Sequence, residues 1–245
     1  MRIRQAAIRA AGLAGAAVLV GSCTGSPAAP HESSSHRSHL AAGGRHVAVL
    51  PAGGQRSAAL AVVSGATTVT VSAAVMPGTL IRVSTPANSG VRPQLVRQAG
   101  GVQLFLDNTG QSGPAAVWIQ VNSAVAWHLQ FSGGATQTVL DLGHGQLSSV
   151  DFTAGSSLIR MTLPPPHGTT LITLAGGASQ VTLTVPHGVP ARLRLYGGAS
   201  TATLAGQTHT GLGGGTILAV PGWATAADRY DIEAPAGVSQ ISVAS

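Results

Sequence analysis

The sequence contains no lysine, a single cysteine, and few charged or aromatic residues. Of its 245 residues, 8% are charged and 3% are aromatic. This composition excludes an acidic disordered chain and a coiled coil, both of which are rich in charged residues. One cysteine cannot form an internal disulfide bond, so the fold has to rely on a buried core. The chain is long enough for one all-β domain with such a core.

The net charge is small once the N-terminus is set aside. Thirteen arginines oppose seven acidic residues, but Arg2, Arg4 and Arg9 lie in the predicted leader, which leaves ten arginines and a surplus of three. So small a surplus does not indicate nucleic-acid binding.

Residues 1–22 have the pattern of a signal peptide. The arginines are followed by an uncharged run over residues 10–20 and then by Gly21, Ser22 and Cys23. The run is short and rich in alanine and glycine, whereas a membrane-spanning helix needs about 20 predominantly apolar residues. We therefore expect the leader to be cleaved.

The tetrapeptide Val20-Gly21-Ser22-Cys23 resembles the lipobox of bacterial lipoproteins. The resemblance implies that the thiol of Cys23 is joined to diacylglycerol and that Cys23 becomes the new N-terminus. Two acyl chains suffice for stable anchoring, which predicts a lipid-anchored protein on the extracytoplasmic face of the cell membrane. The alternative is an ordinary secretory peptide with a coincidental cysteine. Residues 23–45, rich in Ser, Pro and His, are predicted to form a flexible tether.

A repeated unit of alternating residues begins after the tether. Apolar residues mostly recur four, six and often eight positions after a glycine: Thr138, Leu140 and Leu142 after Gly134; Ile159, Met161 and Leu163 after Gly155; Val181, Leu183 and Val185 after Gly177. A period of two predicts strands with one buried face. A unit of about 21 residues cannot bury that face alone, but stacked copies can. The pattern predicts an all-β solenoid or a related open sheet sandwich, with irregular coils over residues 46–126 and regular repeats over residues 127–245.

Several short motifs carry a family resemblance. They are Gly133-Gly134-Ala135, Leu140-Asp141-Leu142, Gly176-Gly177-Ala178-Ser179 and Asp228-Arg229-Tyr230-Asp231-Ile232. With them, residues 127–245 resemble the bacterial toastrack or "putative adhesin" family and the related C-terminal domain of LiaF-like envelope-stress proteins; residues 46–126 do so only loosely. The resemblance implies a right-handed β-helical stack of short strands, displayed on a membrane anchor outside the cell, and it implies no catalysis.

Enzyme motifs are mostly absent, so we predict no enzymatic activity and no cofactor. Some β-helical proteins cleave polysaccharides with clustered carboxylates, which keeps an extracellular carbohydrate-active enzyme open as the alternative. The acids Asp228, Asp231 and Glu233 lie close together near Arg229. Local ion pairing explains this cluster more simply than a catalytic pair.

Four histidines, His144, His167, His187 and His209, lie ten to twelve residues after the glycines that begin the repeats. Stacked coils would line them along one edge, where two imidazoles could share a transition metal. Because turns accept any polar residue, we interpret them as turn residues and predict no metal site. Five aromatic residues, Trp118, Trp127, Trp223, Tyr196 and Tyr230, are interpreted as core and cap residues rather than sugar platforms.

The function expected from these features is non-enzymatic. The protein is predicted to bind a protein or a cell-wall polymer outside the cell, in adhesion or in envelope-stress sensing. A smooth surface covered by Thr and Ser would favour this prediction, and three or more carboxylates converging in one groove would favour the enzyme.

Overall fold

The structure is a computed structural model that describes residues 35–37, 39–41 and 44–245. The predicted signal peptide and Cys23 lie outside the described residues. The strands are β1 (Ser35–Arg37), β2 (His39–Ala41), β3 (Arg45–Pro51), β4 (Ser57–Val62), β5 (Ala66–Ala74), β6 (Thr79–Pro86), β7 (Val91–Gln98), β8 (Gly101–Asn108), β9 (Ala116–Asn122), β10 (Ala126–Phe131), β11 (Ala135–Asp141), β12 (Gln146–Phe152), β13 (Ser156–Thr162), β14 (Thr169–Leu174), β15 (Ala178–Thr184), β16 (Ala191–Leu195), β17 (Ala199–Leu204), β18 (Gln207–Leu212), β19 (Thr216–Ala219), β20 (Arg229–Ala234) and β21 (Val238–Ala244). A single-turn 3-10 helix spans Trp223–Thr225, and no helix among these residues is long and apolar enough to cross a membrane.

The strands form two sheets that face each other across the core. The first sheet has the order β1-β7-β8-β4-β10-β12-β14-β20-β16-β19, and the second has the order β18-β17-β21-β15-β13-β11-β5-β9-β6-β3-β2. In the middle of each sheet seven strands run parallel. Each coil of the stack therefore consists of one strand from the first sheet and the strand that follows it in the second.

The coils stack in an order that differs from their order in the chain. The coil β8–β9 pairs beside β4–β5, on the side away from β10–β11. The C-terminal coil, β20–β21, lies between β14–β15 and β16–β17. The last segment of the chain thus occupies an interior position of the stack, with a parallel strand on either side in both sheets.

The apolar positions of successive coils align into continuous rows. Leu140 lies opposite Met161, and Met161 lies opposite Leu183. The same row continues through Val71 and Ile119 at one end and through Val243 and Leu204 at the other, and all of these side chains are buried. This alignment confirms the predicted all-β stack of short strands; the right-handed winding stays a prediction.

Tight corners between coils depend on glycine. A Cβ atom added at Gly176 would lie 2.1 Å from the carbonyl carbon of Ala154 in the preceding coil, which is closer than two non-bonded atoms can approach. The corner sequences with paired glycines therefore allow adjacent backbones to approach.

The described residues form one compact unit. Strands from residues 46–126 pair directly with strands from residues 127–245, as β4 does with β10 and β5 with β11, so the irregular and the regular coils share one core. The short strands β1 and β2 lie within residues 23–45 and pair with β7 and β3 at one end of the stack. At the other end, β18 and β19 are the outermost strands.

Candidate functional site

On five strands of the second sheet, most of the outward side chains carry hydroxyl groups, whereas β11, between β5 and β13, presents Gln137, Val139 and Asp141. Because strands alternate, the residues between the buried positions of β5, β13, β15, β21 and β17 point away from the core. We call this surface the hydroxyl face and define it by Thr68, Thr70, Ser72, Thr162, Thr182, Thr184, Thr201, Thr203 and Ser242. Parallel pairing places hydroxyl groups opposite one another in neighbouring coils, about 4.8 Å apart.

One row shows the regularity of this face. Thr182 lies opposite Ser242, Ser242 lies opposite Thr203, and Thr203 lies opposite Thr208 of the outermost strand. The hydroxyls of Thr203 and Thr208 are 2.9 Å apart and form a hydrogen bond. The row is interrupted nearer the middle of the stack, where Arg160 of β13 and Val139 of β11 occupy the equivalent positions.

The hydroxyl face is only weakly charged. Arg160 and Asp141 are its exposed charged residues on β13 and β11, and Arg82 and Arg45 lie beyond it, on β6 and β3. The Arg45 guanidinium stacks over the half-buried ring of Trp118, 4.8 Å from the ring centroid. The surface therefore offers mostly neutral hydrogen-bonding groups with a few scattered charges.

The structure brings three of the four predicted histidines to corresponding turns. His144, His167 and His187 are exposed in the turns that follow β11, β13 and β15. His209 instead lies within β18, opposite Ala202. Within the described chain, no group of three or more His, Cys, Asp or Glu side chains is placed to hold a metal ion. Because His209 lies within a strand, the prediction that it is a turn residue is wrong, and the prediction that none of the four histidines binds a metal stays a prediction.

The C-terminal acids form ion pairs on the outer side of the first sheet. Arg192 and Arg194 of β16 each donate two hydrogen bonds to the buried carboxylate of Asp231, at distances between 2.5 and 3.3 Å. Arg194 also contacts Glu233 at 2.5 Å. Asp228 lies apart and accepts a hydrogen bond from the backbone N–H of Gly168. Each member of the predicted acidic cluster thus has an ion-pair or hydrogen-bond partner, and Asp231 and Glu233 share Arg194.

Burial and the neighbouring arginines have opposite effects on the pKa of Asp231. Burial by itself would raise the pKa of the Asp231 carboxyl, but the hydrogen bonds and charges of Arg192 and Arg194 outweigh burial and hold the pKa below its ordinary value. The Asp231 carboxylate is therefore ionised at neutral pH and fully occupied by the two guanidinium groups. Neither a general acid nor a free nucleophile is available at this position.

Aromatic residues support this ion-pair cluster from one side. The Arg192 guanidinium lies 3.6 Å from the ring centroid of Trp223, and the indole N–H of Trp223 donates to the carbonyl of Tyr230. Trp127, Trp223 and Tyr230 are buried, whereas Tyr196 is 49% exposed. The arginines were not identified as partners of Asp231 from sequence, although the alternation Arg192-Leu193-Arg194 shows that both point away from the core.

A histidine, a serine and an aspartate also meet on the first sheet. The Nδ1 atom of His128 forms a hydrogen bond with the hydroxyl of Ser149 and lies 3.7 Å from a carboxylate oxygen of Asp151. A nucleophilic triad needs the serine at one ring nitrogen and the carboxylate at the other. Here both partners contact the same nitrogen, so His128 cannot relay a proton between them.

Comparisons with known proteins relate this chain to others by fold. A "putative cell adhesion protein" from Clostridium sporogenes is similar in structure, with a TM-score of 0.57 and 14% sequence identity over 81% of this chain and 98% of the other. A "putative adhesin" from Bacteroides fragilis matches with a TM-score of 0.23 and 8% identity over 82% of this chain and 98% of that one. No protein-family profile and no curated protein matches the sequence. The likeness to the Clostridium protein shows an adhesin-like fold.

Proposed function

We propose that this chain is a non-enzymatic adhesion protein, anchored by lipid at Cys23 on the extracytoplasmic face of the cell membrane, which binds a cell-wall polymer through the hydroxyl face. The regular array of outward Thr and Ser side chains on the second sheet carries this proposal. The pairing of Asp231 with two arginines accords with a binding role, since it leaves no free carboxylate pair there.

The physical basis is repeated weak contact. A polymer that lies along the stack meets outward hydroxyl groups on β5, β13, β15, β21 and β17, and each hydrogen bond adds about 1 kcal/mol. Many such contacts add up to useful affinity when the partner is itself repetitive, because simultaneous engagement raises the effective concentration of each further contact. The adhesin-like fold of the Clostridium protein is consistent with this role.

Co-sedimentation with isolated cell walls tests the binding face. The double variant Thr182→Ala/Thr203→Ala removes two hydroxyls, a loss of about 2 kcal/mol, and is expected to weaken binding about thirtyfold. Thr173→Ala is the matched control, because Thr173 points outward from the first sheet. Equal loss in both variants, or no sedimentation of the wild-type protein, would contradict the proposal.

The anchor has a separate test. Wild-type protein expressed in a bacterium is expected to incorporate an alkyne-labelled palmitate and to partition into the detergent phase, whereas Cys23→Ala is expected to do neither. Ser22→Ala serves as the control, because it keeps a small residue before the cysteine. Lipid labelling that persists in Cys23→Ala would contradict the assignment of the attachment site.

A further inference from the structure

A trench runs along β4 on the outer side of the first sheet, away from the hydroxyl face. Its floor is formed by the small outward residues Ser57, Ala59 and Ala61 of β4 together with Gly101 of β8. The floor adjoins a depression of about 550 Å³ at the start of β4 and a smaller one of about 170 Å³ further along. The larger volume lies within the range of small-ligand sites, about 300–1,000 Å³.

The trench exists because β4 and the first residue of β8 lack large outward side chains. Register places Gly101 opposite Ala59, and Ala59 opposite His128 of β10. A Cβ atom added at Gly101 would lie 2.8 Å from the carbonyl oxygen of Ala59, so this floor position has no room for a side chain. The imidazole of His128 and the amide of Gln130 then rise as one wall, and the β7–β8 hairpin forms the other.

The hairpin wall presents an oriented pair of amides. The side-chain N–H of Gln98 donates to the side-chain oxygen of Gln103 at 3.0 Å. This bond leaves the oxygen of Gln98 as an acceptor and the amide nitrogen of Gln103 as a donor. The pair therefore offers one group of each kind at the trench.

The opposite wall presents a histidine whose ring orientation is held by its neighbours. The Nδ1 atom of His128 contacts the Ser149 hydroxyl and the Asp151 carboxylate. A carboxylate on that side favours the tautomer with the proton on Nδ1. Nε2 then carries the lone pair, so His128 presents an acceptor, and Gln130 beside it can donate and accept.

These groups match one kind of occupant. Hydroxyl groups of a sugar both donate and accept, as the imidazole and the glutamine amides require, and the apolar C–H face of a sugar ring fits a floor of alanine and glycine. The one arginine that borders the trench, Arg97, donates to the carbonyl oxygen of Pro51 at 2.9 Å. The other wall groups are neutral amides and an imidazole, which favours an uncharged ligand over an anionic one.

We propose that the trench over β4 binds a neutral oligosaccharide, with Nε2 of His128 and the amides of Gln98, Gln103 and Gln130 as its hydrogen-bonding partners. The site lies on a different sheet from the hydroxyl face and does not depend on it. A single chain would thus hold a short saccharide in the trench independently of a polymer bound along the opposite face.

Calorimetric titration of the full-length protein with neutral tetrasaccharides, one of glucose and one of N-acetylglucosamine, tests the proposal. At least one is expected to bind, and Gln130→Ala and His128→Ala are each expected to weaken that binding at least fivefold. Gln180→Ala is the matched control, because Gln180 is exposed on the second sheet. Ala61→Trp fills the floor without removing a polar group and is expected to abolish binding while the far-ultraviolet circular dichroism stays unchanged.

Each of three outcomes would overturn the proposal. The first is no binding of either tetrasaccharide at millimolar concentration. The second is equal affinity in the wild type, Gln130→Ala and Ala61→Trp. The third is tighter binding of an acidic tetragalacturonate than of both neutral sugars. Loss of cell-wall sedimentation in the hydroxyl-face double variant, with saccharide binding kept, would separate the two sites.

Discussion

The interior position of the C-terminal coil leads to a sharp prediction about truncation. Removal of residues 229–245 deletes β20 and β21, which lie between β14–β15 and β16–β17. Four neighbouring strands would lose a parallel partner. In a solenoid whose last coil lies at the end of the stack, the same deletion would leave the remaining coils paired as before.

The expected cost follows from the side chains that the deletion removes from the core. Tyr230, Ile232, Val238, Ile241 and Val243 are all 4% exposed or less. Burial of each contributes about 1.5–3 kcal/mol, so together they contribute roughly 8–15 kcal/mol. The net stability of a whole domain is about 5–15 kcal/mol. We therefore expect the truncated chain to have no cooperative unfolding transition.

Thermal and urea unfolding followed by circular dichroism would measure this effect. Two point variants compare the same substitution in an interior strand and in an edge strand of the stack. Ile241→Ala, in β21, is expected to lower the free energy of unfolding by about 2–5 kcal/mol. Ile217→Ala, in the edge strand β19 where Ile217 is 60% exposed, is expected to change it by less than about 0.5 kcal/mol. Cooperative unfolding of the truncated chain near the wild-type midpoint would refute the interior placement.

Three further predictions concern single residues. Asp231→Ala leaves two arginines without their buried partner and is expected to lower the free energy of unfolding by about 3–5 kcal/mol at neutral pH. Because the pKa of Asp231 is lowered in the folded state, urea titrations should show the full difference between variant and wild type above about pH 3.9. The difference should vanish as the pH falls through the lowered pKa. In Gly176→Ala the new Cβ would meet a carbonyl carbon at 2.1 Å, so the free energy of unfolding is expected to fall by about 1–3 kcal/mol. At Gly213 a new Cβ has nothing within 4 Å, so Gly213→Ala is the control and should unfold at the same denaturant concentration as the wild type. Tyr230→Phe removes the buried hydroxyl that donates to the carbonyl of Pro164 and should lower the free energy of unfolding by about 1–3 kcal/mol in the same assay. Since burial raises the pKa of Tyr230, the ultraviolet absorbance of its phenol in the wild type should not change on alkaline titration until the protein unfolds.

The strands and their register could be predicted because the repeats share one spacing. Leu140, Met161 and Leu183 each lie six residues after a glycine, and apolar residues at equivalent positions of a stack have to meet in one dry layer. The hydroxyl face follows from the same alternation, since the residues between buried positions point outward. The trench could not be predicted, because its depth depends on Gly101 lying beside Ala59, a pairing between strands 42 residues apart.

The order of the coils could not be read from the repeats either. Apolar and polar residues alternate in the segments around both Leu193 and Ile232, so both are predicted as strands. The number of residues between the two segments sets only the length of the connection and not which strands pair. The partners of Asp231 depended on that order, because Arg192 and Arg194 reach the carboxylate only when β20 lies next to β16. His209 left the predicted row of turns for a related reason, since its segment pairs as an antiparallel strand with β17.

The sequence by itself determined the local pattern of the regular repeats: which segments form strands, which side chains face inward, and which corners need glycine. These follow from a period of two and from the close approach of stacked backbones at the corners. The tertiary structure alone decided which coils are neighbours, and with them the ion pairs around Asp231 and the trench over β4. The physical reason is that strands with the same alternation of apolar and polar residues can pair equally well as far as the sequence pattern shows. Which of them become neighbours depends on contacts distributed over the whole core.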